Sequence, residues 1–152
     1  MRAWIPIAAV LALHLAAGPT RATSARNSPP DPDAVAALEA QAIQAQPREQ
    51  CFLDAQLVHS LADLSIRQYA AGDVNEAADL FKKVQNATRK FHISLTGKGK
   101  RLKDAQILLS HTAFRLNELL HVSSFEDRPL VEETLAGVTQ AEDAAMMQVF
   151  QK

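Results

Sequence analysis

The residues whose types and spacing come closest to a chemical site are Glu118 and His121. On a helix, a carboxylate and an imidazole three residues apart lie on one face, and di-iron helical bundles hold their metals through pairs of this kind. His111 lies upstream on roughly the same side. A di-iron bundle also needs a second pair and two further glutamates from facing helices, whereas this chain has one pair. A metal- or small-ligand-binding bundle that uses Glu118, His121 and His111 is therefore the alternative hypothesis.

A basic segment is the candidate partner-binding site. Its cations are Lys98, Lys100, Arg101 and Lys103. The last three open a predicted helix, where the positive end of the helix dipole disfavours cations. This mismatch favours a contact patch for an acidic partner or for anionic headgroups. The other interpretation is a solvated loop.

Two further residue types bear on chemistry. His59 and Asp63 are four residues apart, so on a helix they are predicted to form a surface hydrogen bond. Cys51 is the single cysteine and cannot form an intramolecular disulfide. We expect it to be a small buried side chain. The alternatives are an intermolecular disulfide or a reactive thiol.

The sequence lacks the motifs that mark common catalytic and cofactor sites. It contains no G-x-S-x-G nucleophile elbow, no Walker loop and no C-x-x-C-H haem motif. The net charge is -1, and removal of Arg2 and Arg21 with residues 1–25 takes 16 basic residues to 14 against 17 acidic ones, a net charge of -3. That balance argues against nucleic acid as a partner. We expect no catalytic residue and no cofactor.

The first 25 residues have the pattern of a secretory signal peptide, with Arg2 as the charged n-region and residues 4–17 as the apolar h-region. This apolar run is shorter than the roughly 20 residues of a membrane-spanning helix. We therefore expect an exported protein, periplasmic or secreted, with no transmembrane span in the mature chain. Residues 26–32 hold three prolines and predict a flexible leader before a single helical domain at 33–152.

Apolar periodicity predicts a helical hairpin over residues 53–84. The apolar positions are Leu53, Leu57, Leu61 and Leu64 before the turn, and Val74, Ala77, Phe81 and Val84 after it. Gly72 is predicted to end the first helix with a positive φ, and Asp73 with Glu76 to begin the second as a capping box. Ser124 and Asp127 predict a second capping box, before the last helix.

The hairpin resembles half of a tetratricopeptide repeat (TPR), a helix-turn-helix unit of 34 residues. The matching positions are Leu61, Leu64, Ser65, Gly72, Ala77 and Phe81. Gln68 stands where the family has an aromatic residue, Arg89 stands where it has the closing proline, and no second copy follows at the same period. In general pattern the chain is also similar to small exported all-helical bacterial proteins of uncharacterised family. That resemblance implies a periplasmic or secreted location.

The complete pattern predicts an all-α domain of four main helices plus a short N-terminal helix. The predicted bounds are about 34–46 with Asp33 as the cap and Pro47 as the end, then 48–71, 74–93, 100–121 and a last helix that ends near Phe150. The expected architecture is an up-down helical bundle or a TPR-like stack of helical hairpins. Our leading hypothesis is a non-enzymatic module of the cell envelope or the exterior that binds a protein partner, or itself, through its helical faces.

Overall fold

Five helices make up a computed structural model, which describes residues 31–95 and 99–151. They are α1 (Pro32–Gln44), α2 (Pro47–Ala70), α3 (Val74–Ser94), α4 (Leu102–Val122) and α5 (Arg128–Phe150). The described residues contain no strand and form an all-α helical bundle, so the prediction of an all-α domain is confirmed. The predicted signal peptide at 1–25 lies outside the described residues, as does most of the leader at 26–32.

The first helix begins earlier than predicted. The side chain of Asp31 accepts a hydrogen bond from the backbone N–H of Ala34 at 2.6 Å, and Pro32 is the first helical residue. Asp33 lies in the first turn, so its assignment as the cap is wrong. Pro47 is likewise the first residue of α2, where its missing N–H costs nothing.

The turn between α2 and α3 is built by Gly72, whose φ is +90°. The N–H of Gly72 donates to the carbonyl of Tyr69 and the N–H of Asp73 donates to that of Gln68, both at 3.0 Å. This pair of bonds is a Schellman motif. Asp73 makes no side-chain cap, and its N–H is already engaged, so the predicted capping box with Glu76 is wrong.

The turn between α4 and α5 is stabilised by a residue of another helix. The N–H of Asp127 donates to the Ser124 hydroxyl at 3.1 Å, which is half of the predicted capping box. The other half is replaced by Tyr69 of α2, whose hydroxyl accepts from the N–H of Ser124 and donates to the Asp127 carboxylate, each at 3.0 Å. Tyr69 therefore ties the end of α2 to this turn.

The four long helices are arranged as two hairpins side by side. In the described residues α2 packs against α3 and α4, and α5 packs against α4 and α3, whereas α3 does not approach α4 and α2 does not approach α5. His59 contacts Thr112, and Tyr69 contacts Ser124 further along both helices, so α2 and α4 run parallel. The short α1 packs on α2 alone among the helices.

The core is mainly aliphatic, as the low aromatic content predicts. Its largest fully buried apolar side chains are Phe81, Phe91, Leu109, Leu116, Val58, Val84, Val131 and Val138. Two predicted stripe positions are less buried than expected: Leu53 is half-buried and Val74 is exposed at the start of α3. None of the five described helices has the length and hydropathy required to cross a bilayer.

Gly72 and Gly137 give a matched test of this backbone. Alanine at Gly72 would contact nothing within 4 Å but would carry the left-handed backbone, so Gly72→Ala should lower the free energy of unfolding by roughly 1–2 kcal/mol. Gly137 lies within α5, where a Cβ would meet only the Thr88 methyl at 4.0 Å. Gly137→Ala should raise stability by roughly 0.5–1 kcal/mol. Urea unfolding followed by circular dichroism measures both, and equal effects would contradict the turn geometry.

Candidate functional site

The structure uses two of the four predicted partner-binding cations within the chain itself. Lys100 donates its N–H to the carbonyl of Arg48 at 2.8 Å and places its ammonium 3.3 Å from Glu49. The Arg101 guanidinium lies 3.7 Å over the ring of Phe52. Both residues therefore dock the segment before α4 onto the start of α2.

Arg101 also carries an unusual backbone, since its φ of 57° is in the left-handed region that non-glycine residues rarely adopt. Its Nε donates to the Asp104 carboxylate at 2.8 Å. The stacking on Phe52 and this bond hold the conformation. Lys98 lies outside the described residues. Lys103 is exposed, and no carboxylate of the described ranges lies within ion-pair distance of it.

The residues of the alternative metal hypothesis do not converge. Glu118, His121 and His111 are all exposed on α4, and Nδ1 of His121 lies 2.6 Å from the carbonyl of Asn117. The His111 ring instead faces His59 of α2, with ring centroids 5.5 Å apart. Across residues 31–95 and 99–151, no three His, Cys, Asp or Glu side chains are grouped so that they could hold a metal ion.

A polar cluster lies between α2 and α4. The Thr112 hydroxyl donates to the carbonyl of Leu108 at 2.7 Å, so Nδ1 of His59 must be the donor in its 2.9 Å bond to that hydroxyl. Asp63 is paired with Arg115 of α4. Nε2 of His59 lies 3.8 Å from Asp63, which is beyond hydrogen-bond distance. The predicted His59–Asp63 surface hydrogen bond is therefore wrong, because each side chain has a partner on α4.

Burial lowers the pKa of His59 below its ordinary value of 6.5. The nearby charges of His111 and Arg115 lower this pKa further, and Asp63 opposes them. The imidazole is therefore held in its neutral form inside the α2–α4 interface. Thr112 is fully buried, and His59 and Asp63 are each bonded to a residue of α4, so we interpret the cluster as structural.

Cys51 is confirmed as a small buried side chain. It is fully buried, and burial with the neighbouring Asp54 carboxylate raises its pKa to about 12. Burial also raises the pKa of Asp54, which accepts a hydrogen bond from the Ser94 hydroxyl at 2.6 Å. A thiol in this setting stays protonated and has no access to a partner, so its buried environment argues against a reactive thiol or an intermolecular disulfide.

A groove that the sequence did not reveal lies between α1 and α3, above α2. It has a volume of about 570 Å³. Its floor is made of leucines from α2 and α3, namely Leu57, Leu61, Leu64 and Leu80. Val35 and Ala36 form the α1 wall, and Ile93, which is 83% exposed, forms one end of the α3 wall.

The groove is charged along its rim. Lys83, Arg89 and Lys90 line the α3 side, and Glu39 lies on the α1 side. Lys90 reaches Glu39 at 3.6 Å, and both side chains are about half exposed, so the pair adds little stability. Since α1 buries only Val35 and Ala42, it is the least firmly held wall.

The sequence contains a weak signal for this groove. Val35, Leu38 and Ala42 recur at spacings of three and four, so they form a narrow apolar stripe on α1. Ile43, the other large apolar residue of α1, lies off this stripe and is 70% exposed.

Comparison of the chain with protein-family models, with curated proteins and with solved structures found no match.

Substitutions in the basic segment separate its fold role from a binding role. Arg101→Ala should lower the free energy of unfolding by about 0.5–1 kcal/mol, because it removes the stacking on Phe52. Arg101→Gly removes the same contacts but relieves the left-handed backbone, so it should be more stable than Arg101→Ala by about 1 kcal/mol. Lys103→Ala should change stability by less than about 0.5 kcal/mol. Denaturant titration of the three variants measures these differences. A marked loss of stability in Lys103→Ala would contradict the conclusion that Lys103 has no role in the fold.

The lowered pKa of His59 predicts a pH dependence of stability. Below pH 6.5 the unfolded chain binds a proton at this residue that the folded chain resists, so the free energy of unfolding should fall as the pH decreases from that value. His59→Gln should make the decrease smaller, because glutamine does not titrate. Thermal unfolding of both proteins between pH 7.5 and 5 measures the slopes, and identical slopes would exclude His59 as the titrating group.

Proposed function

We propose that this protein is a non-enzymatic interaction module of the cell envelope or the exterior, and that the groove between α1 and α3 binds an amphipathic helix of a protein partner. The observation that carries the proposal is the groove itself, with its leucine floor and charged rim. Monomeric domains rarely leave such an apolar recess open without a binding role.

The spacing of the floor supports a helical ligand. Leu57, Leu61 and Leu64 are at positions i, i+4 and i+7 of α2 and form one continuous row. An amphipathic helix presents side chains with the same repeat and lays them into a groove between two helices. The helices α1 and α3 form the two walls of such a groove here.

The rim charges favour one orientation of the ligand. The α3 wall carries Lys83, Arg89 and Lys90 with Glu76 at its start, and Glu39 lies on the α1 wall. Glu39 is already close to Lys90. A ligand helix with acidic residues along the side that faces α3 is therefore preferred, since complementary charges fix orientation more than they raise affinity.

A TPR-like stack of hairpins is the finer architecture that we propose for this scaffold. Support comes from the parallel direction of α2 and α4, since hairpins that stack in the same orientation place corresponding helices side by side. Gln85 of α3 donates a hydrogen bond to Thr134 of α5 at 3.2 Å, so the second helices of the two hairpins also lie side by side. In such stacks the surface beside the first helix of a hairpin is open to ligands.

A small amphiphilic molecule is the second candidate ligand for the same groove. A volume of about 570 Å³ is within the range of small-molecule sites, roughly 300–1,000 Å³. An acyl chain on the leucine floor and an anionic head near Lys83 would match the lining. Native mass spectrometry of the untagged, exported protein separates the two ligands, because the amphiphile would appear as a bound mass of a few hundred daltons.

Two exposed isoleucines, only one of which lines the groove, allow a test of whether the groove is the binding site. A photoreactive amino acid at Ala36 should cross-link a partner in the producing cells, and sequencing of the linked peptide should find apolar residues at i, i+3, i+4 and i+7. Ile93→Asp should then weaken binding of that peptide at least about tenfold. Ile43→Asp, at an isoleucine outside the groove that is 70% exposed, is the control and should leave binding unchanged.

Two results would contradict the groove as the binding site. One is equal loss of peptide binding in the Ile93→Asp and Ile43→Asp variants. The other is a linked peptide with no helical apolar repeat. Both variants are at exposed positions, so their unfolding midpoints should match that of the native sequence and exclude misfolding as the cause.

A further inference from the structure

The outer face of α4, opposite the core, is apolar although no other helix covers it in the described residues. Ile107 is 53% exposed, Phe114 is 60% exposed and Val122 is 76% exposed. At 100° per residue these three positions lie within about 80° of one another, and the buried residues of α4, such as Leu109 and Leu116, lie on the opposite side.

Charged and titratable residues share this face. Lys103, Asp104, His111, Glu118 and His121 are exposed and lie within the same arc of the helix, and the His111 ring lies at its α2 edge, 5.5 Å from the ring of His59. Along the middle of the face the order is Ile107, His111, Phe114, Glu118 and Val122, so an apolar residue stands first and last, an aromatic one stands in the centre, and a histidine and a glutamate lie between them. When this order of residue types is reversed, apolar residues stand opposite apolar residues and the histidine stands opposite the glutamate.

We propose that the outer face of α4 binds the same face of a second copy of this chain, with the two helices antiparallel. With the two-fold axis between residues 114 and 115, Ile107 lies level with Val122 of the second copy. In the same register His111 lies level with Glu118 of the second copy, and the two Phe114 rings meet at the axis. One register therefore satisfies both the apolar and the polar pairs.

The same residues disfavour a parallel arrangement. It would place Glu118 of one copy beside Glu118 of the other, and like charges that face each other across an interface are destabilising. The antiparallel pair instead places each Glu118 beside His111 of the second copy.

Lys103 gives independent support. It lies in the first turn of α4, where the positive end of its own helix dipole disfavours a cation. At 100° per residue Lys103 lies 40° from Ile107 around the helix, so it belongs to the same face. In the antiparallel pair it lies near the C-terminal end of the other α4, where the dipole favours a cation. Dimer formation therefore removes the electrostatic mismatch of this position.

The size of the face fits a reversible dimer. The helix has 21 residues and is about 30 Å long. A contact along one helix lies at the lower end of protein interfaces, whose standard size is about 800 Å² per partner. The inference does not depend on the α1–α3 groove, which lies on the other side of α2, so a monomer could still bind a partner there.

Sedimentation velocity of the full exported chain over a hundredfold range of concentration tests the dimer. The native protein should show a concentration-dependent dimer, and Phe114→Glu should raise its dissociation constant at least about 30-fold. Ile43→Glu on α1, a helix that does not approach α4 and an isoleucine outside the groove, is the matched control and should dimerise normally. A native protein that stays monomeric throughout, or a dimer that Phe114→Glu leaves intact, would overturn the proposal.

A charge exchange tests the register with folded proteins. His111→Glu should weaken the dimer about tenfold, because each new carboxylate faces Glu118 of the second copy. Adding Glu118→Lys to His111→Glu should restore the affinity, whereas a simple loss of helix stability would persist in the double variant. Failure of the double variant to recover, while it remains folded by circular dichroism, would refute the pairing.

Cysteine cross-linking tests the antiparallel direction. Under mild oxidation an equal mixture of the Ile107→Cys and Val122→Cys variants should form a disulfide-linked dimer of one copy of each. Either variant alone should not be linked through these positions, since they lie about 22 Å apart along the helix. The native Cys51 is fully buried and does not interfere. Linking of each variant to itself, with none between the two, would instead establish a parallel pair.

Discussion

The seam between α2 and α4 sets how the two hairpins meet. The apolar core is made mainly of leucine, valine and alanine side chains whose helical faces are similar, so packing alone distinguishes poorly between neighbouring registers. Polar contacts along the seam are directional: His59 bonds to Thr112, Asp63 pairs with Arg115, and Tyr69 holds Ser124 and Asp127. A shift by one turn would leave all of these partly buried groups without partners, which costs more than the loss of a few methyl contacts.

The local rules that act within a helix predicted most of the fold. Gly72 ends α2 because only a residue without a Cβ adopts its backbone at low cost, and the helix bounds follow the apolar periodicity to within a few residues. The errors arise where a distant residue replaces a local partner. Tyr69 takes the N–H of Ser124 that a capping box would have used, and Arg115 takes the carboxylate that His59 was predicted to bind. Neither partner can be identified from sequence spacing, because each lies more than 50 residues away.

The candidate site was harder to predict for the same reason. Cations near a helix start indicated a free binding patch, but Arg101 stacks on Phe52 and Lys100 reaches Glu49, which are both on α2. The groove depends on the angle at which α1 leaves α2, a quantity that the sequence pattern does not contain. The α4 face was present in the sequence as Ile107 and Phe114, seven residues apart, yet an apolar residue off the main stripe is recognised as exposed only when the core side of the helix is known.

The two proposed surfaces are compatible because α2 separates them. The groove lies between α1 and α3 on one side of α2, and α4 packs on another side with its outer face turned away. A two-fold pair of α4 helices would therefore leave both grooves open and hold them at a fixed separation. A partner with two helical segments, or one anchored at a surface in many copies, would then bind both grooves of one dimer. The second contact forms at the effective concentration that the rigid scaffold sets, so a dimer of modest stability could convert weak groove contacts into a tight assembly.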